Sequence, residues 1–237
     1  MESIENKVVK AAGFYHTSML SVDYKQTEFC YRSLKPYFRG KVGCELGPST
    51  GYMTKMLIND FKELDIIEGA ADLLEKIPEY PNLKKYHSLF EDFIPKRKYD
   101  TIIMNHVLEH IAEPVELLKK LAALLSEKGV LLVGVPNAKS FHRLAAVKMG
   151  LLSSEFELNE RDKQLGHYRV YDFALLIKHA SEAGLKLIEK GGVSLKFLSN
   201  AQLEQLGNDK ILEAYYELGK EYPSNTAEIY IVCEKQD

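Results

Sequence analysis

The chain has no tryptophan and only three cysteines among 237 residues. Cys30, Cys44 and Cys233 are far apart in sequence, which excludes a disulfide framework and the paired spacing of a structural zinc site. Cys44 and Cys233 fall inside apolar runs and read as buried thiols. Neither sign of charge dominates: 31 Lys and Arg stand against 34 Asp and Glu, a net charge of −3. That balance excludes a basic footprint for nucleic acid or an anionic membrane surface. No apolar run is long enough to span a bilayer. The opening MESIENKVVK has no apolar signal core, so a cytoplasmic protein is expected. Internal repeats and low-complexity tracts are missing too. What remains is 46% hydrophobic and 27% charged, enough for one α/β domain with additions.

From Lys41 to Asn137 short apolar runs alternate with helical patterns. The runs predict strands over 41–46, 63–68, 83–87, 99–105 and 129–135. The helical spacing predicts helices over 51–60, 70–77 and 114–126. Pro114 suits a helix start and Gly129 stops the segment that follows. Beyond residue 170, a helix over 171–184 leads to a sixth strand over 185–189 and a turn at Gly191-Gly192. Two helical pieces between Ser199 and Glu221 precede a last strand over 227–234. Such alternation implies βαβ units and a parallel sheet. Right-handed crossovers then collect the carboxyl ends of the strands on one edge, where ligands bind. Glu45, Gly47, Glu68, the segment Ser88–Glu91, Asn105 and His106 all fall on that edge.

The stretch KVGCELGPSTGY, Lys41 to Tyr52, reads as strand, small-residue turn and helix N-terminus. Glycines there let the backbone approach a ligand, and the helix start offers free N–H groups. An ordinary βα loop that needs glycine for its turn fits equally. The pattern is not the G-x-G-x-x-G of dinucleotide folds, because Pro48 and Ser49 follow Gly47. Glu45 just ahead of the turn would repel a pyrophosphate and attract a cation. One strand later Glu68 stands where an acidic residue accepts hydrogen bonds from a ribose diol. The implied ligand is a nucleoside without phosphates.

ELGPSTG followed by DIIEGA resembles the first two motifs of class I S-adenosylmethionine (SAM) dependent methyltransferases. The segment from Tyr99 to Asn137, YDTIIMNHVLEHIAEPVELLKKLAALLSEKGVLLVGVPN, resembles that family further, nearest to the branch of ubiquinone-biosynthesis O-methyltransferases and natural-product tailoring enzymes. The resemblance implies a three-layer Rossmann-like α/β sheet, mostly parallel, with an antiparallel last strand. It also implies an N-terminal helical cap over residues 1–40, a SAM-binding domain over 41–237 and a lid inserted at 138–170. By the same resemblance Gly47, Ser49 and Gly51 line the methionine and ribose of SAM, with Glu45 near its ammonium group. Glu68, with Gly69 beside it, takes the ribose hydroxyls. Leu89 and Phe90 flank the adenine, with Ser88 or Glu91 near its amino edge, and Asn105 and His106 lie under the sulfonium. Ser49 replaces a glycine common in the family and predicts a stiffer turn. Ser88 replaces a common aspartate.

Methyl transfer from a sulfonium needs positioning and exclusion of water more than elaborate catalysis, so few catalytic residues are expected. His106-Val107-Leu108-Glu109-His110 supports three readings. It is a structural turn, or His110 is a general base with Glu109 beside it, or the polar residues hold a divalent metal. A His/Glu/His set suits Mg²⁺ poorly, so no metal is expected. In the N-terminal segment Tyr15 and His16 are candidates to assist transfer, and Tyr24 to contact substrate. Aromatic packing onto the sheet is the plainer reading of all three. In the insertion, His142, Arg143, His167, Tyr168 and Arg169 are candidates for an acidic substrate or peptide carboxylate, although a solvated helical connection fits as well. The expected function is methyl transfer from SAM to an oxygen, hydroxyl or carboxylate, of a small molecule or modified peptide in a biosynthetic pathway. N-methylation, an NAD-dependent oxidoreductase and a non-catalytic SAM-binding protein are the competing readings. No nucleic-acid or membrane partner is expected, and nothing in the sequence fixes the oligomeric state.

Overall fold

A computed structural model describes residue 13 and residues 20–95 and 97–236. Seven strands form one sheet: β1 (Val42–Leu46), β2 (Glu63–Glu68), β3 (Leu83–His87), β4 (Tyr99–Asn105), β5 (Leu125–Pro136), β6 (Leu185–Gly192) and β7 (Glu228–Lys235). Their order across the sheet is β3-β2-β1-β4-β5-β7-β6. The first five pair in parallel. β7 inserts antiparallel between β5 and β6. This is the Rossmann-like methyltransferase sheet that the resemblance implies.

Central strands are apolar on both faces because helices cover both. Ile102, Ile103, Met104, Val130, Leu131, Leu132 and Val133 have no solvent exposure, as expected for parallel strands sandwiched between helical layers. One layer is built on α4 (Pro114–Leu124) and α7 (Phe173–Glu182). Leu117, Leu118, Leu121, Leu176 and Ala180 are its buried stripe, at helical spacing. The other layer is built on α1 (Ser21–Leu34), α2 (Thr54–Leu57), α3 (Ala71–Lys76) and α9 (Asp209–Glu221). Phe29, Leu34, Leu57, Ile77 and Tyr216 are its buried contacts. Phe29 stacks on Tyr216 with ring centroids 4.6 Å apart. This joins the N-terminal helix to the C-terminal one. No helix among the described residues is long and apolar enough to cross a membrane.

Three predicted elements differ. The helix expected over 51–60 is regular only over Thr54–Leu57 and is flanked by turns. Gly191 and Gly192 are not a turn but the end of β6, paired with Tyr230 and Ile229 of β7. β5 begins four residues early, at Leu125, which pairs with Tyr99 across an irregularity in the ladder. The insertion at 138–170 contains two helices, α5 (Phe141–Lys148) and α6 (Glu160–Gln164). α8 (Asn200–Leu206) lies beyond β6 and contacts α1. Tyr15 and His16 lie outside the described residues.

Candidate functional site

β1 ends at Leu46, and the chain must turn sharply before α2. Gly47, Ser49 and Gly51 make that turn in the left-handed region, with φ of 66°, 51° and 75°. Gly47 donates its N–H to the Ile67 carbonyl at 2.9 Å, which ties the turn to the end of β2. A Cβ on Gly47 would come within 2.6 Å of Val107 Cγ2, so only glycine keeps this passage open. The Glu68 carboxylate holds the turn from the other side. It accepts the Ser49 N–H at 3.2 Å and the Ala70 N–H at 3.0 Å, and keeps lone pairs for a ligand.

The turn, Glu45, Glu68, Gly69, Leu89, Phe90, Asn105 and His106 share one cavity of about 410 Å³. His110 lines the same cavity from the turn after β4, and His142, Arg143, His167 and Tyr168 line it from the inserted segment. Five expected residues are placed elsewhere. Gly51 closes the turn from behind, donating its N–H to the Pro48 carbonyl at 2.8 Å. Ser88 donates its hydroxyl to the adjacent Leu89 carbonyl at 2.8 Å. Tyr24 rests against Tyr52, ring centroids 5.0 Å apart. Arg169 is spent on the carbonyls of Ile111 and Ala112. Glu109 is buried behind the wall. Arg143, although it lines the cavity, is also spent. It pairs with Asp162 at 3.1 Å and donates to the carbonyls of Glu155 and Glu157. Its role is to hold the inserted segment together, which corrects its expected role as an anion receptor.

Charge is distributed unevenly around the cavity. Glu45 is buried and accepts a hydrogen bond from the Thr54 hydroxyl at 2.6 Å. Burial outweighs that bond and, with Glu68 nearby, pushes its carboxyl up to about 7. Burial likewise raises Glu68. His106 sits at the end of β4 with φ of 56°. Its Nε2 is 3.0 Å from Glu228 and its Nδ1 3.4 Å from Glu109. Burial opposes its charge, but Glu228, Cys30 and Glu109 overcome it and hold the ring well above its ordinary value. Cys30 donates its thiol to the same Glu228 carboxylate. His110 is the opposite case. Burial, with His167 and His106 nearby, brings it down to about 4 despite Glu109 and the Leu165 carbonyl. Its ring stands edge-on to His167, centroids 4.6 Å apart. Among the described residues two groups have ligand atoms close enough to share a metal ion, Glu109–His110–His167 and Cys30–His106–Glu228.

This edge fits SAM chemically. Glu45 is a buried carboxylate with no cation partner among the described residues. The Ser49 hydroxyl is buried without a hydrogen-bond partner, an unmet polar atom within the cradle. Cys30, Glu228 and Lys196 also belong to the cavity wall, although the sequence did not point to them. Cys30 lies in an amphipathic helix, Glu228 opens an alternating strand, and Lys196 sits in a connection with no motif. Only the fold brings the three together.

Comparison with known proteins agrees with this geometry. Residues 25–190, more than two thirds of the chain, match the family model of a methyltransferase domain. No curated protein sequence matches. Among solved structures, a chain of the Haloferax volcanii complex between the Trm112 methyltransferase activator and its methyltransferase superposes with a TM-score of 0.69. It is 14% identical, with 99% of this chain and 98% of that one covered. CcbJ methyltransferase from Streptomyces caelestis gives 0.66 at 14% identity, with 100% of both chains covered. N-methyltransferase NodS from Bradyrhizobium japonicum, in complex with S-adenosyl-L-homocysteine (SAH), gives 0.62 at 12% identity, covering 98% and 100%. Identities this low speak for the fold alone, and the family rests on the domain match. By that match and the sheet it predicts, the chain belongs to the methyltransferase-domain family and is a class I SAM-dependent methyltransferase.

Proposed function

We propose that this methyltransferase acts on an oxygen, hydroxyl or carboxylate, of a small molecule or modified peptide in a biosynthetic pathway. SAM supplies an activated methyl group on a sulfonium. Glu45, the 47–49 turn, Glu68, Leu89, Phe90, Asn105 and His106 would hold it along the strand edge. The acceptor then enters the half of the cavity lined by the inserted segment. The observation that carries the oxygen reading is the state of His110. Its ring lines the cavity and, held at about 4, is uncharged at neutral pH. The Leu165 carbonyl receives one ring N–H, which leaves the other nitrogen as an acceptor. That nitrogen takes the proton of an incoming hydroxyl. His167 and the buried Glu109 keep the ring in place. A carboxylate acceptor would need only the positioning.

His110→Ala tests the reading. With a hydroxyl acceptor, turnover falls by roughly 100-fold or more, the usual scale for a lost general base, while SAM affinity stays within about twofold. Undiminished turnover of such an acceptor overturns the base assignment. Mass analysis of the product, with alkaline treatment to reveal methyl esters, separates ester, ether and N-methyl products. An N-methyl product refutes the oxygen reading.

A further inference from the structure

Lys196 lies in the connection between β6 and α8 and lines the acceptor half of the cavity. Its backbone is fixed on both sides. Leu195 donates its N–H to the Tyr215 carbonyl at 2.9 Å, and the Lys196 carbonyl accepts the His142 N–H at 3.0 Å. The ammonium has no carboxylate within ion-pair range among the described residues. The acidic groups that act on it are already engaged. Glu228 is held by His106 and by Cys30. Asp23 receives Asn200 and lies 3.7 Å from Arg161. Burial, with Arg161 adding its charge, therefore brings Lys196 down to about 8 despite Glu228. Glu228 and Asp23 compensate this cation only in part, and such a cost is normally avoided unless something binds.

Two further atoms on the same cavity wall are unmet. His142 Nδ1 and Gln26 Nε2 are buried with no hydrogen-bond partner. The His142 ring lies within the field of Lys196. Burial and that ammonium bring it down to about 3, so the ring is neutral; the Lys196 carbonyl receives its one N–H, and the idle Nδ1 is an acceptor. A cation and an idle amide donor facing one space form a receptor for negative charge.

We propose that Lys196, with Gln26, binds an oxyanion carried by the methyl acceptor, a carboxylate or a phosphate monoester. The acceptor is an acid, anchored by that oxyanion. This replaces the anion site that the sequence suggests at Arg143 and Arg169, both of which are spent on backbone carbonyls. The proposal rests on the reading that this half of the cavity receives the acceptor. It does not depend on whether oxygen or nitrogen is methylated.

The test is calorimetric binding to the full chain saturated with SAH, with benzoate, phenyl phosphate and the neutral isostere benzamide as probes. At least one anion should bind at least tenfold more tightly than benzamide, and the stronger of the two names the source. Lys196→Met should abolish the preference, Lys196→Arg should keep it within about threefold, and SAH affinity should stay unchanged in both. Equal binding of anion and amide, no binding of either anion, or an anion preference that survives Lys196→Met each overturns the proposal. Turnover is not read, so a failed oxygen assignment leaves this result standing. Loss of SAH binding by the wild-type chain would instead indict the cofactor reading.

Discussion

Glu45 carries a charge that the ligand-free protein does not compensate. Its folded value of about 7 lies above the ordinary 4.5. A raised carboxyl favours folding in acid, and that advantage is lost as pH rises from about 4.5 through 7. At pH 8 the buried charge costs about 3 kcal/mol. Glu45→Gln should therefore stabilise the ligand-free protein by up to that amount at pH 8 and hardly at all at pH 4, as read from urea midpoints. An equal gain at both values would rule out ionisation as the cause. A cationic ligand reverses the balance, because it favours the ionised carboxyl. Affinity for SAM should rise with pH up to about 7 in the wild type and lose that dependence in the variant. Ser49 raises a related point. The sequence shows that it replaces a glycine and predicts a stiffer turn. The structure shows that it nonetheless adopts the left-handed conformation, with φ of 51°. This costs about 1 kcal/mol in a residue with a Cβ. Ser49→Gly should recover about that much in thermal unfolding, while any loss of SAM affinity measures the hydroxyl.

The inner strands were legible because burial on both faces leaves a largely apolar run, and β2 and β4 lie where those runs predict; β3, at the sheet edge, has no buried residue and was marked only by its short span. Elements set by contacts distant in sequence were not. Gly191 and Gly192 read locally as a turn, yet they extend β6. A Cβ on Gly191 would lie 2.4 Å from the Tyr230 hydroxyl of the neighbouring strand, so the glycines admit a partner's side chain rather than reverse the chain. The inserted segment shows the same limit. Its arginines suggested an anion site, but Arg143 is the internal tie between α5 and the connection to α6. Asp162 joins three parts of that tie: Arg143 at 3.1 Å, His167 at 3.3 Å and the cap of α6 through Asn159. Removing one partner of a buried pair strands the other, at a cost of about 3 kcal/mol or more. Arg143→Met should therefore speed proteolysis and hydrogen exchange between residues 149 and 165, leaving the exchange of β1 and β4 unchanged. Unaltered exchange in the segment would return Arg143 to the role of a free receptor.

At the scale of the whole molecule, one cavity is bounded by pieces from the entire chain: α1, the strand edge, the inserted segment, the connection after β6 and the start of β7. The sequence located the cofactor half because one motif-bearing stretch supplies much of it. On the other side the sequence named His110, His142, His167 and Tyr168, but Cys30, Lys196 and Glu228 escaped because only topology joins them. Around the mouth, α1 is bound to the C-terminal helices by Ser21 to Glu204 at 2.8 Å, Arg32 to Glu213 at 2.9 Å and the Phe29–Tyr216 stack. A ligand in the cavity thus touches all of these segments at once. Binding to the folded state alone adds about 2.7 kcal/mol when SAH is at a hundred times its Kd. For a chain of this length that corresponds to a rise in Tm of roughly 5–10 °C. Phe29→Ala should lower the Tm of the ligand-free protein by an amount equivalent to about 3 kcal/mol and weaken SAH binding, although Phe29 is outside the cavity lining. If the variant loses stability but binds SAH as the wild type does, α1 serves as a brace for the sheet, and the cavity is complete without its precise placement.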